Sequence, residues 1–320
     1  MRNMTNLSVR RLFCFIAGTV LFVFGTGRIV YSQDLYVSNQ FAGNIKRFTP
    51  DGSVTTFGTG LANPLGMDFD SGGNLYVVSR SSNEIDKFAP DGTRTVFATG
   101  LSIPIGLALD GAGNVYVANV GDNSIRMFTP AGGGSIFASG LSGPFGLAFN
   151  SAGNLFVANA FNGTIEEFTP GGVGSIFTSG LSSPSDVAFD ALDNLFVTNT
   201  GFNRIDEFAP DGTGSIFATG VKAPAGLAFD NAGNLFVSSQ GSATGTGDID
   251  RIYKFTPGGA GSVFATSAEG LNVPSYMAFA HGAPATAVPE PGVTVLLFGV
   301  GTVGIGLVGH RRAVRRPRRK

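Results

Sequence analysis

Residues 144–180 read PFGLAFNSAGNLFVANAFNGTIEEFTPGGVGSIFTSG, and four short strands can be marked off within them. Leu147-Ala148-Phe149 is a short apolar run, closed by Asn150-Ser151-Ala152-Gly153, with Asn first and Gly fourth as a type I turn prefers. Leu155-Phe156-Val157 is the second strand, and a polar loop from Asn159 to Gly163 leads to a third, Thr164–Phe168. Pro170-Gly171-Gly172 then turns the chain into the fourth strand, Ser175–Phe177. The first two runs are apolar at consecutive positions rather than alternating, the pattern of strands covered on both faces.

The stretch is one copy of a repeat, and the repeat extends in both directions. The tripeptides beginning at Leu35, Leu75, Val115, Leu155, Leu195 and Leu235 read LYV, LYV, VYV, LFV, LFV and LFV at a spacing of 40. Prolines 64, 104, 144, 184, 224 and 274 recur likewise, as do phenylalanines 48, 88, 128, 168, 208 and 255, and 57, 97, 137, 177, 217 and 264. Four antiparallel strands per 40 residues, covered on both faces, describe a β-propeller blade packed between two others. Gly and Pro punctuation inside every unit excludes helical repeats. The phase predicts how the ring closes. The repeat region starts on a second strand (Asp34–Asn39) and ends on a first strand (Ser275–Ala280), so Tyr276–Ala280 should pair beside Leu35–Ser38 and leave no open edge. The expected fold is all-β: a six-bladed propeller of four-stranded blades over residues 33–281, with one blade shared by the two ends.

Val115-Tyr116-Val117-Ala118-Asn119 followed by Asn123-Ser124-Ile125 resembles the repeat phrase of NHL-type and gluconolactonase-like propellers, and the likeness covers about residues 34–280. The absence of tryptophan argues against WD-type repeats.

Both ends of the chain look like addresses. Arg2, Arg10 and Arg11, the apolar stretch Leu12–Phe24 and the small residues of Val30-Tyr31-Ser32 suggest a secretory signal over residues 1–32. Residues 282–291 form a linker ending in Pro289-Glu290-Pro291, followed by an apolar run at 292–309 and a basic tail at 310–320. Eighteen helical residues span about 27 Å, close to a hydrocarbon core of about 30 Å, and the arginines would stay cytoplasmic. This three-part pattern closely resembles the PEP-CTERM sorting signal. The resemblance implies processing by an exosortase-type enzyme, a transmembrane helix at 292–309 before cleavage, and delivery to the cell surface or the extracellular space. The sole cysteine, Cys14, lies in the leader, so a mature chain would lack thiol chemistry.

Removing both ends uncovers an acidic body. Residues 33–288 hold ten basic and 21 acidic side chains, a net charge of −11, which argues against nucleic acid as a partner. The repeat lengthens in only two places, around Gly241–Asp250 and Ser267–Gly270. Both are loops on the face that carries the second-to-third-strand and blade-to-blade connections, and one-sided insertion marks either a candidate binding side or loop growth that costs little free energy. Asn39, Asn119, Asn159 and Asn199, with Ser79 and Ser239, occupy one repeat position near that face; such residues either hold a ligand or bond their own loops. Departures from the repeat are more pointed. Asp186 and Tyr276 stand where Gly66, Gly106, Gly146 and Gly226 stand elsewhere, and Arg80 follows Ser79. Arg80, Asp186 and Tyr276 are therefore the first candidate ligand contacts, with Asn119, Asn159 and Asn199 behind them.

Two functional readings follow. The leading one is a non-enzymatic surface propeller that binds an extracellular polysaccharide, matrix component or envelope protein and requires no cofactor. The alternative, implied by the gluconolactonase-like resemblance, is a metal-dependent lactonase with a divalent cation (Ca or Mg) at the propeller mouth, for which Asp186, Asn159 and Asn199 imitate part of the ligand set. Glu84, Glu166, Glu167 and Glu207 lie within third strands and are expected to be solvated charges. A likeness to streptogramin-lyase-type propellers would imply a catalytic histidine, yet His281 falls in a linker context. Serine-nucleophile, phosphate-loop and HExxH patterns are absent.

Overall fold

The computed structural model describes residues 14–16, 19–21, 33–240 and 250–280, and the chain divides into two compact units. In the first, Cys14–Ile16 pairs antiparallel with Thr19–Leu21. The second is the propeller. The expected membrane span at 292–309, the sorting motif Pro289, Glu290 and Pro291, His281 and most of the leader lie outside the described residues. Among the described residues, no helix is long and apolar enough to cross a membrane.

The second unit contains six four-stranded antiparallel sheets. Blade 1 runs from axis to rim as Pro274–Phe279, Leu35–Asn39, Asn44–Phe48 and Val54–Thr59. Blades 2 to 6 follow in chain order, with inner strands Pro64–Phe69, Pro104–Leu109, Pro144–Phe149, Pro184–Phe189 and Pro224–Phe229. Each inner strand neighbours the inner strands on either side, and that of blade 6 meets Pro274–Phe279, completing the circle. The closing pair has the register Met277↔Val37, Ala278↔Tyr36 and Phe279↔Leu35, as the repeat phase predicts. Outside the strands, Ala280 N donates to Asp34 O at 3.1 Å, and Gln33 Nε2 donates to Ala280 O at 3.3 Å.

Every second strand is buried along its whole length, which explains its unbroken apolar run. The phenylalanine series form the mortar between blades. Within a blade, the second-strand aromatic meets the fourth-strand Phe edge-on: Tyr76 with Phe97 at 4.9 Å, Phe156 with Phe177 at 5.1 Å. That Phe then contacts the third-strand Phe of the next blade, as in Phe97–Phe128 at 6.3 Å. The series closes on Phe264–Phe48 at 5.7 Å, so the last seam matches the others. Each such pair contributes about 0.5–1.5 kcal/mol beyond its buried area.

The inner ring is set by glycine. A Cβ on Gly66 would lie 2.5 Å from Ile105 O, one on Gly106 2.1 Å from Phe145 O, and one on Gly226 2.2 Å from Ser275 O. Inner strands therefore approach more closely than any side chain at these positions permits. Asp186 and Tyr276 break the glycine series and mark the two seams built differently.

Candidate functional site

Antiparallel connection places the loops after the second and fourth strands at one end of the ring. At the axis of that end is a cavity of about 330 Å³. Its wall is made by the second residue of each inner strand and by residues that follow the second strands, so every blade contributes at least one side chain. The six contributions are unequal. Leu65, Ile105 and Phe145, with Ala160 and Phe161, make one side apolar, whereas Ser185, Thr200, Ser275, Gln40 and Gln240 make the other polar.

Tyr276 forms the floor. It is buried, packs with Leu65 and Ile105, and donates its hydroxyl across blade 6 to Ser185 O at 3.2 Å. Burial raises the Tyr276 pKa well above its ordinary value, and the Asp186 charge adds to the effect, so the phenol stays protonated.

Arg80 lines the same cavity, half-buried. Its backbone N–H bonds Asn63 O, but its guanidinium has no hydrogen-bond or ion-pair partner among the described residues. On the polar wall, Gln240 Nε2 donates to Ser275 Oγ at 2.9 Å, and Ser275 Oγ donates to Gln40 Oε1 at 3.3 Å. Both glutamines line the cavity, and neither the amide nitrogen of Gln40 nor the amide oxygen of Gln240 has a hydrogen-bond partner among the described residues. Ser185 Oγ, by contrast, is taken up by Thr198, Thr200, Pro224 and Ala225.

Asp186 behaves differently from the expectation that it contacts ligand. It is 5% exposed and does not line the cavity. Its Oδ2 accepts from Leu227 N of the next blade at 2.8 Å, and its own N–H donates to Thr198 Oγ1 at 2.7 Å. Asp68 makes the corresponding bridge between blades 2 and 3, accepting from Leu109 N at 2.9 Å. Asp186 is thus a strap between inner strands. Burial pushes its pKa from 3.8 up to about 8, the Leu227 and Val187 N–H groups offsetting only part of the desolvation.

The asparagine series lies one residue below the mouth, with its polar groups turned to the framework. Asn119, Asn159 and Asn199 accept from Ser102 N, Ser142 N and Ser182 N of the blade-to-blade loops. Asn39 accepts from Asn272 N and donates to Gly270 O at the closing seam. Ser79 and Ser239 donate to Asp86 and to Lys222 O. Glu84, Glu166 and Glu167 are half-buried and bonded rather than fully solvated: Glu166 accepts from Asn159, Glu167 from Asn154, and Glu84 pairs with Arg94. The reason is the pairing register, which sets these acids beside polar groups of neighbouring strands and turns. Glu207 is half-buried without such a bond among the described residues.

A divalent cation does not fit these residues. Asp186 is engaged with Leu227, and no cluster of three or more His, Cys, Asp or Glu side chains able to hold a metal occurs among the described residues. The turn acids are likewise committed: Asp70 Oδ1 accepts from Gly72 N and Asn74 N, and Asp110, Asp190 and Asp230 repeat the arrangement. A second concavity, about 340 Å³ on the opposite face, is edged by Glu167, Asp193 and Asp211. Their carboxylates are occupied by Asn154, Ser151 and Thr213.

Three residues were overlooked in the sequence. Phe41, Phe161 and Phe202 are 70%, 69% and 52% exposed, all in second-to-third-strand loops around the mouth. The signal was legible, because blades 2 and 3 carry Ser81 and Gly121 in the same loop. Of the two loop expansions, Ser267–Glu269 forms a 3-10 turn capped by Thr266, whereas 241–249 lies outside the described residues.

No protein-family model matches the chain, and no curated protein matches it. Solved structures do resemble it. A chain of a nidogen/laminin complex superposes with a TM-score of 0.68 at 19% identity, covering 78% of this chain and 98% of that one. A protein of unknown function from Bacteroides caccae gives 0.62 at 15% identity, covering 78% and 100%. Virginiamycin B lyase from Staphylococcus aureus gives 0.59 at 18% identity, covering 81% and 90%. At these identities the likeness is one of fold: the chain is an all-β, six-bladed propeller of four-stranded blades.

Proposed function

We propose that this protein is an exported binding module, displayed at the cell surface or released from it, whose axial mouth engages an extracellular glycan, matrix component or envelope protein. The observation that carries the reading is the two-sided mouth. A half-apolar, half-polar cavity with an unpaired cation, ringed by exposed aromatic side chains, suits adhesion to a ligand. Chemistry lacks comparable support. A solved structure that the chain resembles is a histidine-to-alanine, catalytically inactive virginiamycin B lyase, and both histidines of this chain, His281 and His310, lie outside the described residues. Another relative is a partner in a protein complex, which is compatible with binding at a propeller surface. Export and sorting rest on the leader at 1–32 and on the Pro289-Glu290-Pro291 tail with its exosortase-type partner.

The test is retention of the purified protein on extracellular polymer and on envelope fractions from the source organism. Wild type should be retained, and Arg80→Ala or Phe161→Ala should weaken retention at least tenfold without changing the melting temperature. Retention unaffected by both variants would refute the mouth as the binding surface. For sorting, Glu290→Ala should leave the protein in the membrane fraction, and unchanged delivery would remove the sorting proposal.

A further inference from the structure

Resting on that reading, we infer that the mouth takes an acidic sugar, a pyranose ring bearing one carboxylate, as part of a sparsely charged glycan. The cavity offers one guanidinium (Arg80), one amide N–H₂ (Gln40) and one amide carbonyl (Gln240), all on or beside the polar wall. The opposite wall is hydrocarbon, with Phe145 and Phe161 meeting edge-on at 6.3 Å.

A ligand that satisfies both walls needs an apolar face, a hydroxyl that donates, a hydroxyl that accepts, and one anionic group. A pyranose has this division: its axial C–H bonds make one side apolar, and its equatorial hydroxyls both donate and accept. A ring carboxylate would sit on the Arg80 fork, a two-bond, charge-assisted contact that a neutral sugar cannot make. A lone alkyl or aryl acid would leave Gln40 and Gln240 unmatched, and such desolvated groups disfavour binding.

Charge narrows the class further. With a body net charge of −11 over residues 33–288, the long-range field opposes a densely charged polyanion such as a nucleic acid or a heavily sulfated chain. Among the described residues, Arg80 is the sole cation of the lining. One carboxylate per several neutral residues is the charge density that the site and the field together tolerate. The volume of about 330 Å³ is at the lower end of small-molecule cavities, roughly 300–1,000 Å³. It therefore encloses one ring, while Phe41 and Phe202 stand outside it where adjoining residues of a chain would lie.

The experiment is calorimetric titration of the purified protein with methyl glucuronoside, its methyl ester and methyl glucoside. The acid should bind roughly 10- to 100-fold more tightly than the ester or the glucoside, the range for a charged hydrogen bond. Arg80→Gln should erase that preference and leave the weak neutral binding in place. Arg80→Lys, which keeps the charge and loses the fork, should retain only part of the preference. Phe145→Ala should weaken all three probes alike. Equal affinity for acid and ester, an Arg80→Gln variant with undiminished preference, or no binding of any of the three sugars would overturn the inference. If the protein were still retained on polymer or envelope fractions in an Arg80- and Phe161-dependent way, only the sugar class would be lost. If that retention were also absent, the binding reading itself would fall.

Discussion

Replacing Asp186 by Asn should abolish a large part of the pH dependence of the protein's stability. In the folded state the carboxyl is fully enclosed, bonded to Leu227 N, and its pKa is raised from 3.8 to about 8. The folded protein therefore holds a proton that the unfolded chain has already released, throughout the window from about pH 4 to about pH 8. Stability contributed by this group is complete below about pH 4, falls as pH rises, and is exhausted above about pH 8. Roughly four pKa units at about 1.36 kcal/mol each make the total loss on the order of 5 kcal/mol. Asn has the shape of the protonated acid and retains an oxygen for Leu227 N, but it has no proton to lose. Urea unfolding of the purified wild type and Asp186→Asn at pH 4, 6 and 8 isolates the effect, because all other titrations are shared. The two proteins should be of similar stability at pH 4, and the variant should be the more stable by several kcal/mol at pH 8. Parallel curves, with a difference constant to within about 0.5 kcal/mol, would show that Asp186 is charged in its seam and that the account of its burial is wrong.

Three further outcomes are expected. Gly106→Ala drives a Cβ to 2.1 Å from Phe145 O, so the inner ring must open; a loss of about 3 kcal/mol or more in chemical denaturation is expected. Met277→Asp places a charge in the closing seam opposite Val37, and a loss of about 3–5 kcal/mol with a matching fall in melting temperature should follow. Blade 3 carries a correctable fault. Asp86, Glu166 and Asp206 accept from the residue ending the second strand in their own blades, but Arg126 holds this position beside Asn119, and both Asn119 Nδ2 and Arg126 Nε lack an acceptor. Arg126→Asp restores the pair and should stabilise the protein by about 1 kcal/mol, and a destabilised variant would show that Arg126 is better satisfied than its contacts indicate.

The fold was legible because its determinants are periodic. A run such as Leu155-Phe156-Val157 reports burial on both faces, and six copies report the ring. Even the shared blade followed from the phase of the first and last units, and its observed register agrees. The site was legible only in part. Arg80 and Tyr276 stand out as departures from the repeat, and both line the mouth. Asp186 is an equally strong departure, yet its side chain bridges to Leu227. Sequence shows that a glycine has been replaced, but not whether the new side chain turns to the axis or to the neighbouring strand. That choice depends on space left by other blades. The asparagines were ambiguous for a related reason: their partners, such as Ser102 N and Ser182 N, are 17 residues away in loops that the repeat alone does not place.

The strand that seals the ring also carries Ser275 and Tyr276, the shelf and floor of the cavity. A chain whose final segment has not docked thus lacks more than an edge partner; it has no finished receptacle. Annealing the circle and acquiring the capacity to hold a guest are one event, so an unsealed molecule cannot sequester ligand away from completed ones.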